Sequence, residues 1–217
     1  IAPSKVIVTA TEASRVAKNA KDFFDEVYRK CGLQVQIITS EAEAYFSTIG
    51  ILVDKNINEN EICIMDIGGA STELIKVRVA DKEILHTFSM PVGAVRMNNW
   101  FNEGKRDEKL KEVLKNYEKD LNSVHCDRLY CVAGTMTSVG NIYLKNKEFV
   151  ESEVNGLSFK TEDISKIKDQ YSSFSQPEFL EEFPFLGKRS HTIMSGLILA
   201  ETVIKSLKAS ELSLIHI

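Results

Sequence analysis

The run over residues 62–74, Ile-Cys-Ile-Met-Asp-Ile-Gly-Gly-Ala-Ser-Thr-Glu-Leu, limits the folds open to this chain more than any other stretch. A short apolar segment passes through Asp66, Gly68-Gly69-Ala70 supplies a turn, and an apolar alternation resumes through Leu74, Ile75, Val77 and Val79. That pattern predicts a buried strand, a tight turn and a second strand. A third strand is expected over residues 84–90, before Pro91 and Gly93 stop it, so residues 62–90 should form an antiparallel meander. The turn also carries chemistry. Glycines let backbone N–H groups face outward as a nest for phosphate oxygens. Asp66 can hold a hard divalent cation through oxygen, Ser71 and Thr72 add hydroxyl donors, and Glu73 adds a second carboxylate. An ordinary Gly-Gly hairpin with an incidental aspartate accounts for these residues equally well, so the rest of the chain has to decide.

Before the hairpin, residues 6–10 read as a strand and residues 12–31 as one long helix with Phe23, Phe24, Val27 and Tyr28 on its apolar face. Gly32 closes that helix and residues 35–38 form another strand, giving a β-α-β unit with parallel pairing. Ser40 stands as the cap of the next helix, with Glu43 in the N3 place of a capping box. The polar stretch 54–61 is the expected domain boundary. After the meander come a helix carrying Trp100 and Phe101, a charged amphipathic helix over 105–121, and a strand over 128–132. A turn at Ala133-Gly134-Thr135 leads into a helix over 136–144, and residues 161–171 form a short polar helix. The Phe-rich stretch 174–186 reads as irregular, and an apolar helix follows over 191–207.

Composition narrows the class. Of 217 residues, 43% are hydrophobic and 27% charged, enough to bury a core. A net charge of -4 argues against a partner such as duplex nucleic acid, which is gripped mainly through its phosphates. A polyanionic substrate would need a local basic patch or a metal. Cys31, Cys63, Cys126 and Cys131 lack C-x-x-C spacing and sit in or beside apolar runs, the usage of reduced structural thiols in a cytoplasmic protein. No signal peptide or membrane-spanning run is visible, so no membrane partner is expected. The first residue is not methionine and the last four are Leu-Ile-His-Ile, so we expect a fragment.

Several blocks together resemble the exopolyphosphatase/guanosine pentaphosphate phosphatase (Ppx/GppA) family of the actin-like ATPase superfamily. Asp66-Ile-Gly-Gly-Ala-Ser-Thr-Glu73 resembles that family's second phosphate loop. Thr11-Glu-Ala-Ser-Arg15-Val-Ala-Lys-Asn19 is similar to its Ala-Leu-Arg-x-Ala-x-Asn segment, and Ile37-Ile-Thr-Ser-Glu41-Ala-Glu43-Ala44 to its Ile-Ser-Gly-x-Glu-Glu-Ala segment. Pro91-Val-Gly93-Ala-Val follows its Pro-x-Gly-x-Val element, and Val132-Ala-Gly134-Thr135 resembles its Gly-Gly-Thr turn. Ser190-His191-Thr-Ile precedes the last long helix in the same place. The blocks run in family order from residue 5 to about 205.

The resemblance implies an α/β, ribonuclease-H-like fold. Residues 1–54 would be the end of a first domain and residues 55–217 most of a second one, without its final strand. It also implies a Mg2+-dependent phosphoanhydride hydrolase acting on inorganic polyphosphate or guanosine pentaphosphate. In that reading Glu43 is the catalytic base, Arg15, Gly68, Gly69, Ser71 and Thr72 bind phosphate, Asp66 and Glu73 hold the metal, and Gly134 and Thr135 form a nucleotide-side loop. The family's habit of dimerising makes a homodimer an expected option. Three positions depart from the family pattern: Ala70 and Ala133 replace glycines, and Tyr45 replaces an arginine beside the proposed base. A catalytically weak phosphate- or nucleotide-binding sensor of the same fold is the alternative. A sugar-kinase-like transferase is a third reading, against which Glu43 speaks, since such a kinase usually employs an aspartate.

Overall fold

The computed structural model describes residues 6–53 and 57–215. Its elements run in the order β1 (Val8–Ala10), α1 (Glu12–Val16), α2 (Ala20–Cys31), β2 (Val35–Ile37) and α3 (Ser40–Ile51), then β3 (Glu61–Ile67), β4 (Thr72–Arg78) and β5 (Glu83–Met90). Helices α4 (Ala94–Asn102), α5 (Arg106–Asn116) and α6 (Glu118–Ser123) lead to β6 (Arg128–Val132) and α7 (Ala133–Tyr143). Then follow α8 (Glu151–Val154), β7 (Ser158–Lys160), α9 (Thr161–Gln170), α10 (Gln176–Glu182), a 3-10 segment over Pro184–His191, α11 (Ile193–Leu207) and β8 (Glu211–Leu214). The chain divides into two compact units, Ile1–Phe46 and Ser47–Ile217. The division falls inside α3, ahead of the polar connector where a boundary was expected. Residues 54–56 of that connector lie outside the described residues.

In the first unit, β1 and β2 pair in parallel, Val8 facing Val35 and Ala10 facing Ile37, as the β-α-β pattern predicts. The single long helix expected over 12–31 is instead two. Ala17 leaves the helical region at ψ 121°, and Asn19 precedes the restart, its carbonyl accepting the Phe23 N–H. Gly32 ends α2 at φ 69°, a conformation that costs glycine little.

The second unit is built on a six-stranded mixed sheet in the order β5-β4-β3-β6-β8-β7. The meander expected over 62–90 is present: β3 and β4 pair antiparallel from Glu61↔Arg78 to Ile67↔Thr72, and β4 pairs antiparallel with β5. Parallel β6 and β8 extend the sheet from β3. Strand β3 buries Ile62, Cys63, Ile64 and Met65 in succession, as expected of a central strand covered on both faces. Helix α11 supplies Leu197, Leu199, Ala200 and Val203 to the same core, all fully buried.

The outer strands and the segment between α9 and α11 depart from expectation. The final strand, expected to be missing, is β8, and short β7 pairs antiparallel with it through Phe159↔Leu212. The stretch expected to be irregular contains α10, opened by a capping box in which the Ser175 N–H and hydroxyl both donate to Glu178 Oε2 at 2.6 Å. The amphipathic stretch over 105–121 is interrupted at Tyr117, between α5 and α6. Among the described residues no helix is long and apolar enough to cross a membrane, and all four cysteines are free.

Candidate functional site

The second unit gathers the glycine turns at one end of its sheet. Residues 68–71 join β3 to β4, closed by the Gly68 N–H donating to the Ser71 carbonyl at 3.0 Å. The carbonyls of this turn are held by the start of α4: Ala94 N–H donates to Gly68 O at 2.9 Å, and Val95 and Arg96 N–H to Gly69 O at 2.9 and 3.1 Å. The first-turn amides of α4, which no helical carbonyl can satisfy, therefore clamp the turn rather than a ligand. Gly93 makes the clamp sterically possible. A Cβ there would lie 2.5 Å from Gly69 C and 2.6 Å from Gly68 O. With both carbonyls so held, the amides of Gly69 and Ala70 donate to no backbone carbonyl among the described residues. Those are the donors a phosphate nest requires.

The second turn emerges next to the first because β6 runs parallel to β3, with Asp66 facing Val132. Ala133 follows at φ 67°, a left-handed conformation that a Cβ resists, where the resembled family has glycine. Gly134 and Thr135 then form the first turn of α7, whose N-terminal amides carry a partial positive charge. Arg189 lies against this turn: a Cβ on Gly134 would sit 2.4 Å from Arg189 Nη2. The small residue is thus what admits the guanidinium. Together Gly68, Gly69, Ala133, Gly134, Thr135 and Arg189 line a cleft of about 200 Å3. Arg189 is absent from the residues that sequence reasoning selects. A lone basic residue ahead of an apolar helix carries no motif, and only its packing across Gly134 places it here.

The two carboxylates proposed for a metal are direct cross-strand neighbours, Asp66 on β3 facing Glu73 on β4. Glu73 is only 4% exposed, and the Ser89 hydroxyl, facing it from β5, donates to Glu73 Oε1 at 2.7 Å. Asp66, Glu73 and Ser89 therefore form one row across three strands. Of the two hydroxyls expected to reach phosphate, that of Thr72 is engaged elsewhere. Thr72 is fully buried, and its Oγ1 donates to the Val92 carbonyl at 2.6 Å, tying β4 to the segment after β5. Ser71 is also buried, with its carbonyl closing the turn.

In the first unit, Arg15 and Glu43 meet. Arg15 Nη1 donates to Glu43 Oε2 at 3.0 Å and to the Ile38 carbonyl at 2.9 Å, and Nη2 reaches Glu12 Oε2 at 3.4 Å. Both side chains are about four-fifths covered. The helix cap is Thr39, one residue earlier than expected: its Oγ1 accepts the Ala42 N–H at 3.2 Å and its carbonyl the Glu43 N–H at 3.0 Å. The carboxyl of neighbouring Glu41 is held below the usual carboxylate range by its own amide and by the Thr39 hydroxyl. Glu43 is thus released from capping, and the Arg15 guanidinium fixes one of its oxygens. Tyr45, at the position of the family's arginine, is half exposed and stacks edge-on against Phe46.

Known proteins share this fold. A curated guanosine-5'-triphosphate,3'-diphosphate pyrophosphatase of Aeromonas salmonicida is 31% identical over 142 residues, covering 64% of this chain and 28% of the relative. The crystal structure of the Aquifex aeolicus Ppx/GppA family member superposes with a TM-score of 0.78 at 25% identity, over 97% of this chain and 69% of that one. An exopolyphosphatase from Cytophaga hutchinsonii gives 0.76 at 21% identity, over 97% and 70%, a likeness of fold alone. The ribonuclease-H-like α/β fold expected from the sequence is the fold observed. This chain spans well under a third of the curated relative and about 70% of the solved structures. The family model for the Ppx/GppA phosphatases matches residues 1–216, and the chain belongs to that family.

Proposed function

We propose that the chain serves a hydrolase of phosphoanhydrides, releasing the terminal phosphate of inorganic polyphosphate or of guanosine pentaphosphate. The observation that carries this reading is the cleft in which the Gly68-Gly69 turn, the start of α7 and Arg189 converge. Phosphoryl transfer needs little covalent help from a protein and much positioning and charge stabilisation. Backbone donors at Gly69 and Ala70, the α7 N-terminus and one guanidinium are chemically suited to hold phosphate oxygens.

Glu43 would orient and deprotonate the attacking water. Arg15, expected to clamp phosphate, is better suited to positioning Glu43, since three acceptors already engage it. Asp66 and Glu73, paired across β3 and β4, would be the carboxylates that hold a magnesium ion. Among the described residues no group of three or more His, Cys, Asp or Glu is placed to hold a metal, and Mg2+ commonly takes only one or two carboxylates beside waters and substrate phosphates. When bound, the ion would offset phosphate charge. Ser89 would keep the Glu73 carboxylate turned toward the row it shares with Asp66.

The Aeromonas relative is named for a guanosine pentaphosphate substrate and the Cytophaga protein for polyphosphate, so both belong in the test. Phosphate release by the full-length protein from each, with and without Mg2+, tests the reading. Asp66→Asn should raise the Mg2+ concentration needed for half-maximal turnover. Binding of either substrate without Mg2+-dependent release would instead establish the sensor alternative.

A further inference from the structure

Helix α11 carries one glycine, Gly196, and it is buried. Glycine is the poorest residue for a helix interior after proline, so the packing around it has to account for its presence. The space a side chain would take is filled by the wall of the cleft. A Cβ on Gly196 would lie 2.6 Å from Thr135 Cγ2, on the first turn of α7, and 3.5 Å from the Cβ of Ala94, the first residue of α4. The second distance is an ordinary contact and the first is far too short. Thr135 and Ala94 both line the cleft, as does Ile193, one turn before Gly196 on the same face of α11. Ala94 also belongs to the clamp, its N–H donating to Gly68 O at 2.9 Å. Beside Gly196, the Ser195 hydroxyl donates to Asn98 Oδ1 at 3.4 Å, a polar tie between α11 and α4. One position without a side chain therefore meets the segments that carry both turns.

We propose, building on the phosphate reading of the cleft, that Gly196 is a positioning residue: it sets the spacing between the Gly68-Gly69 turn and the Gly134-Thr135 turn, and with it the grip on a chain of phosphates. Ala94 reaches the first turn through its hydrogen bond, and Thr135 belongs to the second. A methyl group at 196 would have to displace Thr135 Cγ2 by about 0.8 Å, the difference between 2.6 and 3.4 Å. Thr135 is β-branched and stiff at χ1, so it yields by turning its hydroxyl or by carrying the start of α7 with it. Either response changes the donors that the α7 N-terminus offers to an anion. Glu43, Asp66 and Glu73 are not among the atoms that the methyl group would crowd.

The test compares full-length wild type, Gly196→Ala, Thr135→Ser and the double variant. Each is titrated with inorganic tripolyphosphate in a calorimeter, and its amide exchange is read by peptide mass spectrometry. Serine at 135 keeps the hydroxyl and removes the one atom that the new Cβ would crowd. Gly196→Ala should weaken tripolyphosphate binding about tenfold. It should also quicken exchange over residues 137–139, the first amides held by carbonyls of α7 itself. The double variant should match Thr135→Ser within about twofold in affinity and show the same exchange. A lower melting temperature with unchanged affinity and exchange in Gly196→Ala would overturn the proposal, leaving Gly196 a packing residue only. So would a loss of binding that Thr135→Ser does not repair. Failure of Gly196→Ala to fold would overturn it as well, since a local shift at the start of one helix leaves the core intact. Absence of tripolyphosphate binding in wild type would instead refute the phosphate reading of the cleft. Exchange then decides the spacing alone: faster exchange repaired by Thr135→Ser supports it, and unchanged exchange overturns it.

Discussion

Replacing Gly93 with alanine should damage the Gly68-Gly69 turn without touching any proposed catalytic group. Gly93 lies at φ -139° and ψ 177°, extended backbone that alanine adopts freely, so the demand for glycine is one of space. The added Cβ would lie 2.5 Å from Gly69 C, 2.6 Å from Gly68 O and 2.7 Å from Ala70 N, against an ordinary contact of 3.4 Å or more. Backbone cannot rotate aside as a side chain can, so the turn would have to retreat by about 0.9 Å, the difference between 3.4 and 2.5 Å. That movement stretches the three hydrogen bonds from α4, which lie between 2.9 and 3.1 Å. Overpacking of this kind costs about 1–3 kcal/mol, and contact with backbone on three atoms argues for the upper end. Urea unfolding of the chain measures the stability loss, and phosphate release by the full-length protein measures the effect on the turn. Gly104→Ala is the control: its φ of 70° penalises a side chain, but nothing lies within 4 Å. It should lose about 1 kcal/mol and leave turnover unchanged. If Gly93→Ala matched wild type in both assays, the clamp of the Gly68-Gly69 turn by α4 would be wrong.

Ala133→Gly should stabilise the chain, because it relieves the strain at φ 67° and loses only part of that gain to the freer unfolded backbone. We expect a net gain of about 0.5–1 kcal/mol, a rise in melting temperature of roughly 2 °C, read by calorimetry. Acid sensitivity should centre on Glu201, which joins α9 to α11. Burial pushes its carboxyl up, but hydrogen bonds from Lys168 at 2.9 Å, Lys205 at 2.8 Å and Ser165 at 2.6 Å outweigh that and hold it at about 2. A folded value below the unfolded one means the stabilisation is complete above about pH 4.5 and fades as pH falls toward 2. The gap between 4.5 and about 2 corresponds to at most about 3.4 kcal/mol, and Glu201→Gln should flatten the stability profile over that window in pH-dependent urea titrations.

The parts of the fold that were legible in the sequence are those whose burial is regular. The continuous apolar run of β3, its Gly-Gly turn and the alternation of β4 announce the meander. The apolar periodicity of residues 193–207 announces α11. Strands β7 and β8 contain three and four residues, too short for any period to show, and they exist because neighbouring strands supply their partners. Helix α10 was legible in principle, since Ser175 followed by Glu178 is a capping-box signature, but the phenylalanines around it obscured the period. Ser40 and Thr39 can both cap α3, and which one does so depends on where the backbone turns after β2. In the cleft, the glycines at 68, 69 and 134 were readable from motif, as was the facing of the carboxylates at 66 and 73 across β3 and β4. Their roles beneath it were not. That Thr72 holds Val92, that Arg15 holds Glu43 and that Arg189 fills the space over Gly134 are consequences of packing between segments far apart in the chain.

The measurement closest to the central claim is turnover of the full-length protein carrying Glu43→Gln, followed against substrate and Mg2+ concentration. The amide keeps the shape and one acceptor oxygen for Arg15 but cannot take a proton. We predict a fall of about a hundred- to ten-thousand-fold in the rate of phosphate release, with substrate and Mg2+ binding nearly unchanged. Retention of more than about a tenth of wild-type turnover would contradict it, leaving Glu43 as a structural partner of Arg15 and the base to be sought elsewhere.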